Sequence, residues 1–345
     1  MENKMKVAVS EGRGDIKLVE IDIPEIDDYQ CLCKTLSCAT CSGTDLKIIN
    51  SKMFWAKNYP VIVGHESVGQ VIKKGKKVRY IEEGDIILRP TAVYAGQQTN
   101  GYFSALGGFA EYGVITDLNA FKEDNPGKEF NNYCIYQLKL PSDIKISPAD
   151  ATMLITAKET AGFLFNIGVK LNSSILILGS GAVSMNLCYF SKILGCFPVI
   201  IIGRNQKTLE YIKNLGADWT INTKQENFIK KVKEITEGKG VDFVIDTTGN
   251  KELVVNCLEV ISEKGGIAPY ASYEEEDVFG EYKEDNRFIF KSPGECETHN
   301  YLCYLLRMNL IELRYFYSNV LPFSEIEYGF KLLKEKKAFK IVFEM

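Results

Sequence analysis

The stretch SSILILGSGAVS, residues 173–184, decides the fold. A short aliphatic run stands directly before a glycine-rich turn, and an amphipathic helix pattern follows it. In such a unit Gly179 permits the tight turn, and Gly181 lets backbone N–H groups approach a pyrophosphate at the positive end of the helix. Ser184 replaces the third glycine of the G-x-G-x-x-G pattern, so helix-to-strand packing must accommodate a hydroxymethyl group. The residues predicted to contact a dinucleotide are Gly179, Gly181, Ala182 and Val183.

A second strand ends in VIIIGRNQK, residues 199–207, where an NAD site usually has an acidic residue for the ribose 2′-OH. Gly203 and Arg204 stand there instead. A carboxylate would repel a 2′-phosphate, whereas a glycine makes room for it and a guanidinium binds phosphate bidentately. The sequence therefore favours NADP over NAD, with Arg204 as the main contact and Asn205 and Lys207 as helpers. The alternative is that Arg204 is an exposed loop arginine.

The two halves of the chain differ in their hydrophobic patterns. Residues 172–270 alternate continuous β-branched runs with amphipathic helix patterns, which predicts a doubly wound parallel sheet buried on both faces. In that context the glycine-rich turn indicates a dinucleotide site rather than a structural turn. Residues 1–120 contain short β-rich pieces broken by turn residues, which is typical of a barrel or sandwich. Ser147 and Pro148 mark the N-cap and first position of a helix predicted over 146–169.

Composition narrows the class of protein. The 345 residues include 41 Lys plus Arg against 45 Asp plus Glu, a net charge of −4, so the basic excess of a nucleic-acid-binding protein is missing. The sequence has neither a signal-peptide pattern nor the about 20 consecutive apolar residues that a membrane helix needs. We therefore expect a cytoplasmic protein without a nucleic-acid or membrane partner, whose ten cysteines are free thiols. Only His65 and His299 can supply an imidazole.

Several motifs in the first half bear on the chemistry. Cys38 and Cys41 form a lone C-x-x-C pair that lacks the second half of a zinc ribbon. The other motifs are CSGTDLKI (41–48), GHESVGQVI (64–72), GDIILRP (84–90) and GGFAEYGVI (107–115). In this order, upstream of the glycine-rich turn, they resemble the medium-chain dehydrogenase/reductase superfamily, in particular its zinc-dependent alcohol and polyol dehydrogenases. The resemblance extends over nearly the whole chain.

The resemblance implies an α/β fold in which one domain is inserted into another. Residues 1–150 and 290–345 would form a GroES-like β-barrel catalytic domain, and residues 151–289 would form a Rossmann domain that binds the dinucleotide. Because members of this superfamily usually pair through their Rossmann sheets, a homodimer or homotetramer is expected.

The resemblance also implies one catalytic zinc ion per subunit. Carried over by position, its ligands are Cys41, His65 and Glu66, a donor set that suits catalytic zinc. The usual spacing is Cys-x-Ser/Thr-Asp, whereas Cys41 lies three residues before Thr44, which leaves Cys38 as an alternative ligand. A further acidic ligand usually comes from the helix that begins the second half, where Glu159 is the nearest carboxylate. A structural zinc is not expected, because the family's four-cysteine lobe is missing from 89–106.

Three more residues take roles from the resemblance. Thr44 matches the hydroxyl residue that passes the alcohol proton toward solvent. Lys47 occupies a position where other members often have a histidine, so it is either part of that relay or a solvated surface lysine. Asp45 would orient the metal ligands.

Together these features predict a zinc-dependent oxidoreductase that transfers a hydride between NADP(H) and an alcohol, polyol or sugar carbon. Two alternatives remain open. One is a zinc-free quinone or alkene reductase of the same superfamily, against which His65 beside Glu66 argues. The other is a non-catalytic dinucleotide-binding protein that has lost its metal ligands.

Overall fold

The computed structural model describes residues 3–345 as two compact units. The first contains the chain up to Ile155 together with His299–Met345, and the second contains Thr156–Thr298. The family resemblance implies corresponding divisions at 150/151 and 289/290. In the described part of the chain, no helix is long and apolar enough to cross a membrane.

The strands and helices are numbered in chain order. The strands are β1 Lys4–Ser10, β2 Lys17–Asp22, β3 Gln30–Ala39, β4 Val61–Ile62, β5 Glu66–Lys74, β6 Ile86–Leu88, β7 Gln98–Thr99, β8 Tyr102–Ser104, β9 Tyr112–Thr116, β10 Ile175–Leu178, β11 Val199–Gly203, β12 Trp219–Asn222, β13 Val241–Asp246, β14 Ile261–Pro269, β15 Asn319–Pro322 and β16 Ile341–Glu344. The α-helices are α1 Ser42–Ile49, α2 Leu118–Asp124, α3 Pro148–Asn166, α4 Ala182–Ile193, α5 Gln206–Asn214, α6 Phe228–Ile235, α7 Lys251–Asn256, α8 His299–Arg307 and α9 Ile326–Lys334. Single turns of 3₁₀ helix occur at Asn132–Tyr136, Cys257–Glu259, Gly280–Tyr282, Leu313–Phe316 and Phe323–Glu325.

The first unit is built on two sheets of short strands, as the broken β pattern predicts. One sheet has the order β2-β1-β4-β8-β7, and the other has the order β15-β16-β3-β5-β6 with β9 also paired to β3. The long strand β3 pairs antiparallel with β5 and with the C-terminal strand β16. The core of the first unit includes the rings of Phe109, Phe330 and Phe343, whose centroids lie 5.8–6.5 Å apart. The end of the chain therefore completes a sheet begun near its start.

The second unit contains the predicted doubly wound sheet, which is confirmed. Its five strands are all parallel in the order β12-β11-β10-β13-β14. Strand β10 is buried along its whole length, which explains its uninterrupted aliphatic sequence. The strand order reverses between β10 and β13, where Leu178 pairs with Asp246. Ligands of open α/β sheets bind outside the carboxyl ends of the strands at such a reversal.

The capping signals at the start of α3 are confirmed. Pro148 is its first residue, and the Ser147 hydroxyl accepts a hydrogen bond of 3.0 Å from the Asp150 N–H. The helix ends at Asn166, shortly before Gly168, whose φ of 89° is a left-handed conformation that favours glycine.

The apolar pattern of residues 299–317 predicts one continuous helix, and this prediction is wrong. Helix α8 ends at Arg307, and Asn309 adopts a left-handed φ of 52°. The Leu310 N–H reaches back 2.9 Å to the Leu305 carbonyl and closes the end of the helix. Asparagine tolerates this conformation, so it ends helices as glycine does.

Candidate functional site

His65 and Glu66 lie where the chain enters β5, and Gly64 makes that entry possible. Gly64 has a φ of 94°, and a Cβ atom there would lie 2.5 Å from the Phe109 ring. Only glycine fits both the left-handed backbone and the close approach. His65 is 7% exposed and Glu66 is 1% exposed, so two ionisable side chains are held in the interior of the unit.

The first turn of α1 supplies the next group of side chains. Cys41 occupies the N-cap position, and its N–H donates a hydrogen bond of 2.7 Å to Asp45 Oδ2. The Thr44 Oγ1 atom lies 3.6 Å from Cys41 Sγ. Cys41, Thr44 and Asp45 are therefore brought together by one helical turn, despite the extra residue in the family spacing. Lys47 is half-buried on the next turn.

Cys41, His65 and Glu66 form a cluster of three potential metal ligands. Their donor atoms all lie within 4.8 Å of one another. Sulfur, imidazole nitrogen and carboxylate oxygen are the donors that zinc binds in proteins, and three of them leave a position open. In residues 3–345 this is the one such group of three or more.

The Asp45 carboxylate lies behind the His65 ring, on the side of Nδ1. Asp45 Oδ1 lies 3.6 Å from His65 Nδ1, while His65 Nε2 lies 4.0 Å from Glu66 Oε1. Both Asp45 Oδ1 and His65 Nδ1 are buried and make no hydrogen bond within the described residues. Burial lowers the pKa of His65, but Asp45 and Cys41 raise it more, so that it lies well above its ordinary value. A carboxylate behind one imidazole nitrogen, with the other facing the cluster, fits the arrangement by which proteins hold zinc-bound histidine.

Lys340 also borders the cluster, although no sequence motif marks it. Its Nζ lies 2.5 Å from Glu66 Oε2, and only 2% of Lys340 is exposed. The pairing of β16 with β3 brings Lys340 there, because the Thr40 N–H donates to the Ile341 carbonyl at 2.8 Å. Nothing in the sequence around Lys340 indicates that its side chain lies beside potential metal ligands.

Other predicted ligands lie outside the cluster. Cys38 is fully buried in the hydrophobic core with Ile48 and Phe343, and burial raises the pKa of its thiol. Glu159 lies on α3 in the second unit and is not one of the grouped residues. His299, the second histidine of the chain, has no role in the resemblance; it begins α8, where its Nε2 lies 3.0 Å from the Lys139 carbonyl.

The glycine-rich turn lies between β10 and α4, as the sequence predicts. Gly179 has a φ of 113°, and a Cβ there would lie 2.4 Å from Thr247 Oγ1. Gly181 is the N-cap of α4 and makes no side-chain cap, and Ala182 and Val183 open the helix. Ser184 is fully buried, and its hydroxyl lies 2.8 Å from that of Thr247, which satisfies the polar group that replaces the third glycine.

The end of β11 lies beside this turn. A Cβ at Gly203 would lie 2.6 Å from Ser180 Oγ, so the glycine accommodates Ser180. Arg204 is exposed, and within residues 3–345 its side chain makes no hydrogen bond or ion pair. The Asn205 side chain caps α5 by accepting from the N–H groups of Lys207 and Thr208 at 3.0 and 3.4 Å. The side chains of Arg204 and Lys207 are therefore available to bind a ligand, whereas the Asn205 side chain is already engaged in capping α5.

Two family profiles match the chain. One is described as the alcohol dehydrogenase GroES-like domain and matches residues 27–124. The other is described as zinc-binding dehydrogenase and matches residues 182–293.

Known proteins resemble the chain over most of its length. L-threonine 3-dehydrogenase of Pyrococcus abyssi is 28% identical over 95% of this chain and 94% of the relative. The NADP-dependent isopropanol dehydrogenase of Thermoanaerobacter brockii is 24% identical over 77% of this chain and 75% of that relative. The structure of an alcohol dehydrogenase from Thermus sp. ATN1 superposes with a TM-score of 0.80 at 21% identity, covering 99% of both chains. The GroES-like and Rossmann expectations are thereby confirmed, and the chain belongs to the zinc-dependent medium-chain dehydrogenase/reductase superfamily.

Proposed function

We propose that this oxidoreductase, which acts on alcohols, transfers a hydride between NADP(H) and the carbinol carbon of a small alcohol, polyol or sugar. One zinc ion per chain would be held by Cys41, His65 and Glu66. The observation that carries the proposal is the approach of these three donor atoms within 4.8 Å, with His65 and Glu66 buried.

The residues around that ion would have different roles. When bound, zinc supplies Lewis-acid chemistry that lowers the pKa of an alcohol. Asp45 keeps the His65 ring oriented through Nδ1, and it also fixes the Cys41 backbone through the N–H bond of 2.7 Å. Thr44, whose hydroxyl lies 3.6 Å from Cys41 Sγ, would pass the substrate proton on, with Lys47 one turn further along α1.

The preference for NADP is proposed from the end of β11. Arg204 offers an exposed guanidinium without an internal partner among the described residues, and no carboxylate stands at that position to repel a 2′-phosphate. A relative whose name states NADP dependence supports the same choice. In parallel titrations, the protein should bind NADPH more tightly than NADH, and Arg204→Ala should remove most of the difference. Tighter binding of NADH would contradict the preference.

A second candidate substrate is L-threonine, which also presents a secondary alcohol. Several of the most similar relatives are named L-threonine 3-dehydrogenase. A screen of C2 to C6 alcohols, polyols, sugars and L-threonine with both cofactors separates the two candidates.

The test of zinc-dependent turnover compares two cysteines of similar exposure. Cys41 and Cys296 are both half-buried, but only Cys41 lies in the cluster. Cys41→Ser should abolish turnover and zinc retention while sparing NADPH binding, and Cys296→Ser should retain zinc and turnover. Substoichiometric zinc in an active, chelator-free preparation would favour the zinc-free reductase. A chain that binds NADPH but turns over no substrate in the screen would favour the non-catalytic alternative.

A further inference from the structure

Arg89, the residue before Pro90 in the GDIILRP motif, combines a buried charge with an unfavourable backbone conformation. It is 5% exposed, although its side chain is permanently charged. Its φ is 60°, a left-handed conformation that is unfavourable for a residue with a Cβ atom. A buried cation on an unfavourable backbone persists only where the surrounding structure holds it in place.

Arg89 makes hydrogen bonds to the backbone beside the cluster of potential metal ligands. Its Nη1 donates a hydrogen bond of 2.8 Å to the backbone carbonyl of His65. Its own N–H donates to the Ser67 carbonyl at 2.7 Å. Arg89 therefore hydrogen-bonds to the backbone carbonyls of the residues before and after Glu66. These bonds hold the backbone segment that carries the two proposed ligands, His65 and Glu66.

The other side of Arg89 is anchored to the segment around the 3₁₀ turn at Asn132–Tyr136. The guanidinium carbon lies 5.6 Å from the centre of the Tyr136 ring, within the range of a cation–π contact. The Gln137 amide donates to the Arg89 carbonyl at 3.2 Å. The guanidinium is thus fixed by a ring and directed at the His65 carbonyl.

We infer that Arg89 is a positioning residue for the metal ligand His65. It connects the backbone of His65 to the Tyr136–Gln137 segment and so limits the displacement of the imidazole relative to Cys41 and Glu66. This inference rests on the proposed zinc site. It assigns Arg89 no contact with substrate or cofactor.

The experiment measures metal binding rather than turnover. Metal-free protein is titrated with Zn²⁺ against a competing chelator, and the absorption spectrum of the Co²⁺-loaded protein reports the geometry around the thiolate ligand. Arg89→Met removes the donors and the charge at similar length. The matched control is Arg79→Met, because Arg79 also donates to a backbone carbonyl, Ala120 O at 3.0 Å, but pairs with Glu123 and Asp124 rather than with the cluster.

In Arg89→Met, zinc affinity should fall about ten-fold or more and the Co²⁺ spectrum should change, as for other residues that orient metal ligands. Arg79→Met should leave both unchanged. An unaltered affinity and spectrum in folded Arg89→Met would overturn the inference, even if its Tm falls. If Arg89→Met does not fold, Arg89→Gly decides by the same criteria, since its left-handed backbone favours glycine. Failure of both variants to fold would make Arg89 a folding residue and also overturn it.

The two proposals fail differently. If the parent protein itself binds no zinc, the proposed function and the role of Arg89 both fall. If the parent binds zinc and the Arg89 variants bind it equally well, only the role of Arg89 falls.

Discussion

Lys340 Nζ lies 2.5 Å from Glu66 Oε2, with both side chains almost completely buried. Buried ion pairs contribute little net stability, but removing one partner leaves an uncompensated charge in the interior. In the proposed zinc site the Glu66 carboxylate would serve both Lys340 and the metal ion. Metal binding and the stability of the first unit would then be coupled through Glu66.

Lys340→Met should lower the free energy of unfolding of the metal-free protein by about 3–5 kcal/mol, because it leaves Glu66 buried without its ammonium partner. Zinc should restore part of the loss, since the metal supplies a positive charge to the same carboxylate. Urea unfolding with and without zinc measures both effects. Lys4→Met is the control, because Lys4 and Asp22 form an exposed pair, which contributes about 0–1 kcal/mol. Equal stability of Lys340→Met and the parent without metal would contradict the coupling.

Asp45→Asn should weaken zinc binding about 10–100-fold, because the amide cannot provide the charge that faces His65 Nδ1 at 3.6 Å. The N–H bond of Cys41 to residue 45 can be kept by the amide oxygen, so the fold of α1 should survive. Competition with a chelator measures the affinity, and circular dichroism checks the fold. Asp143→Asn, which affects only an exposed pair with Arg307, should leave zinc affinity unchanged. Zinc affinity of Asp45→Asn equal to the parent's would show that Asp45 does not act on the ligand.

Gly64→Ala and Gly84→Ala separate backbone strain from steric exclusion. Both glycines have nearly the same φ, 94° and 92°, but a Cβ at Gly64 would lie 2.5 Å from Phe109 whereas one at Gly84 would meet nothing within 4 Å. Gly84→Ala should cost about 1–2 kcal/mol from the left-handed backbone alone. Gly64→Ala should cost roughly 1–3 kcal/mol more because of the clash, and should also weaken zinc binding by displacing His65. Guanidinium unfolding measures the two losses of stability. Equal losses would mean that the Phe109 ring moves aside without a cost in free energy.

The parts of the molecule that the sequence predicts well are those specified by neighbouring residues. The turn at Gly179–Ser184 needs only its own glycines and a preceding strand, and the structure has it as predicted. The cap of α3 likewise depends on Ser147 and the residues just after it. Each of these predictions rests on interactions within a few residues.

The missed features depend on distant contacts or on weak local signals. Lys340 reaches Glu66 only because β16 pairs with β3, and Arg89 reaches His65 only because β5 and β6 are adjacent. Strand β12 has four residues and begins with an exposed Trp219, so its pattern is too short to read. The end of α8 depends on Asn309 taking a left-handed conformation, which the continuing apolar pattern conceals.

The reactivity of the thiols should identify the metal cluster directly. Burial raises the pKa of Cys188 to about 12 and that of Cys196 to about 11, so at pH 8 both are thiols rather than reactive thiolates. Cys41 and Cys296 are half-buried, whereas the other eight cysteines are buried. Brief alkylation of the native metal-free protein at pH 8, followed by peptide mass spectrometry, should therefore label Cys41 and Cys296 first. Zinc should protect Cys41 and leave the labelling of Cys296 unchanged, whereas equal labelling of Cys41 with and without zinc would exclude it as a ligand.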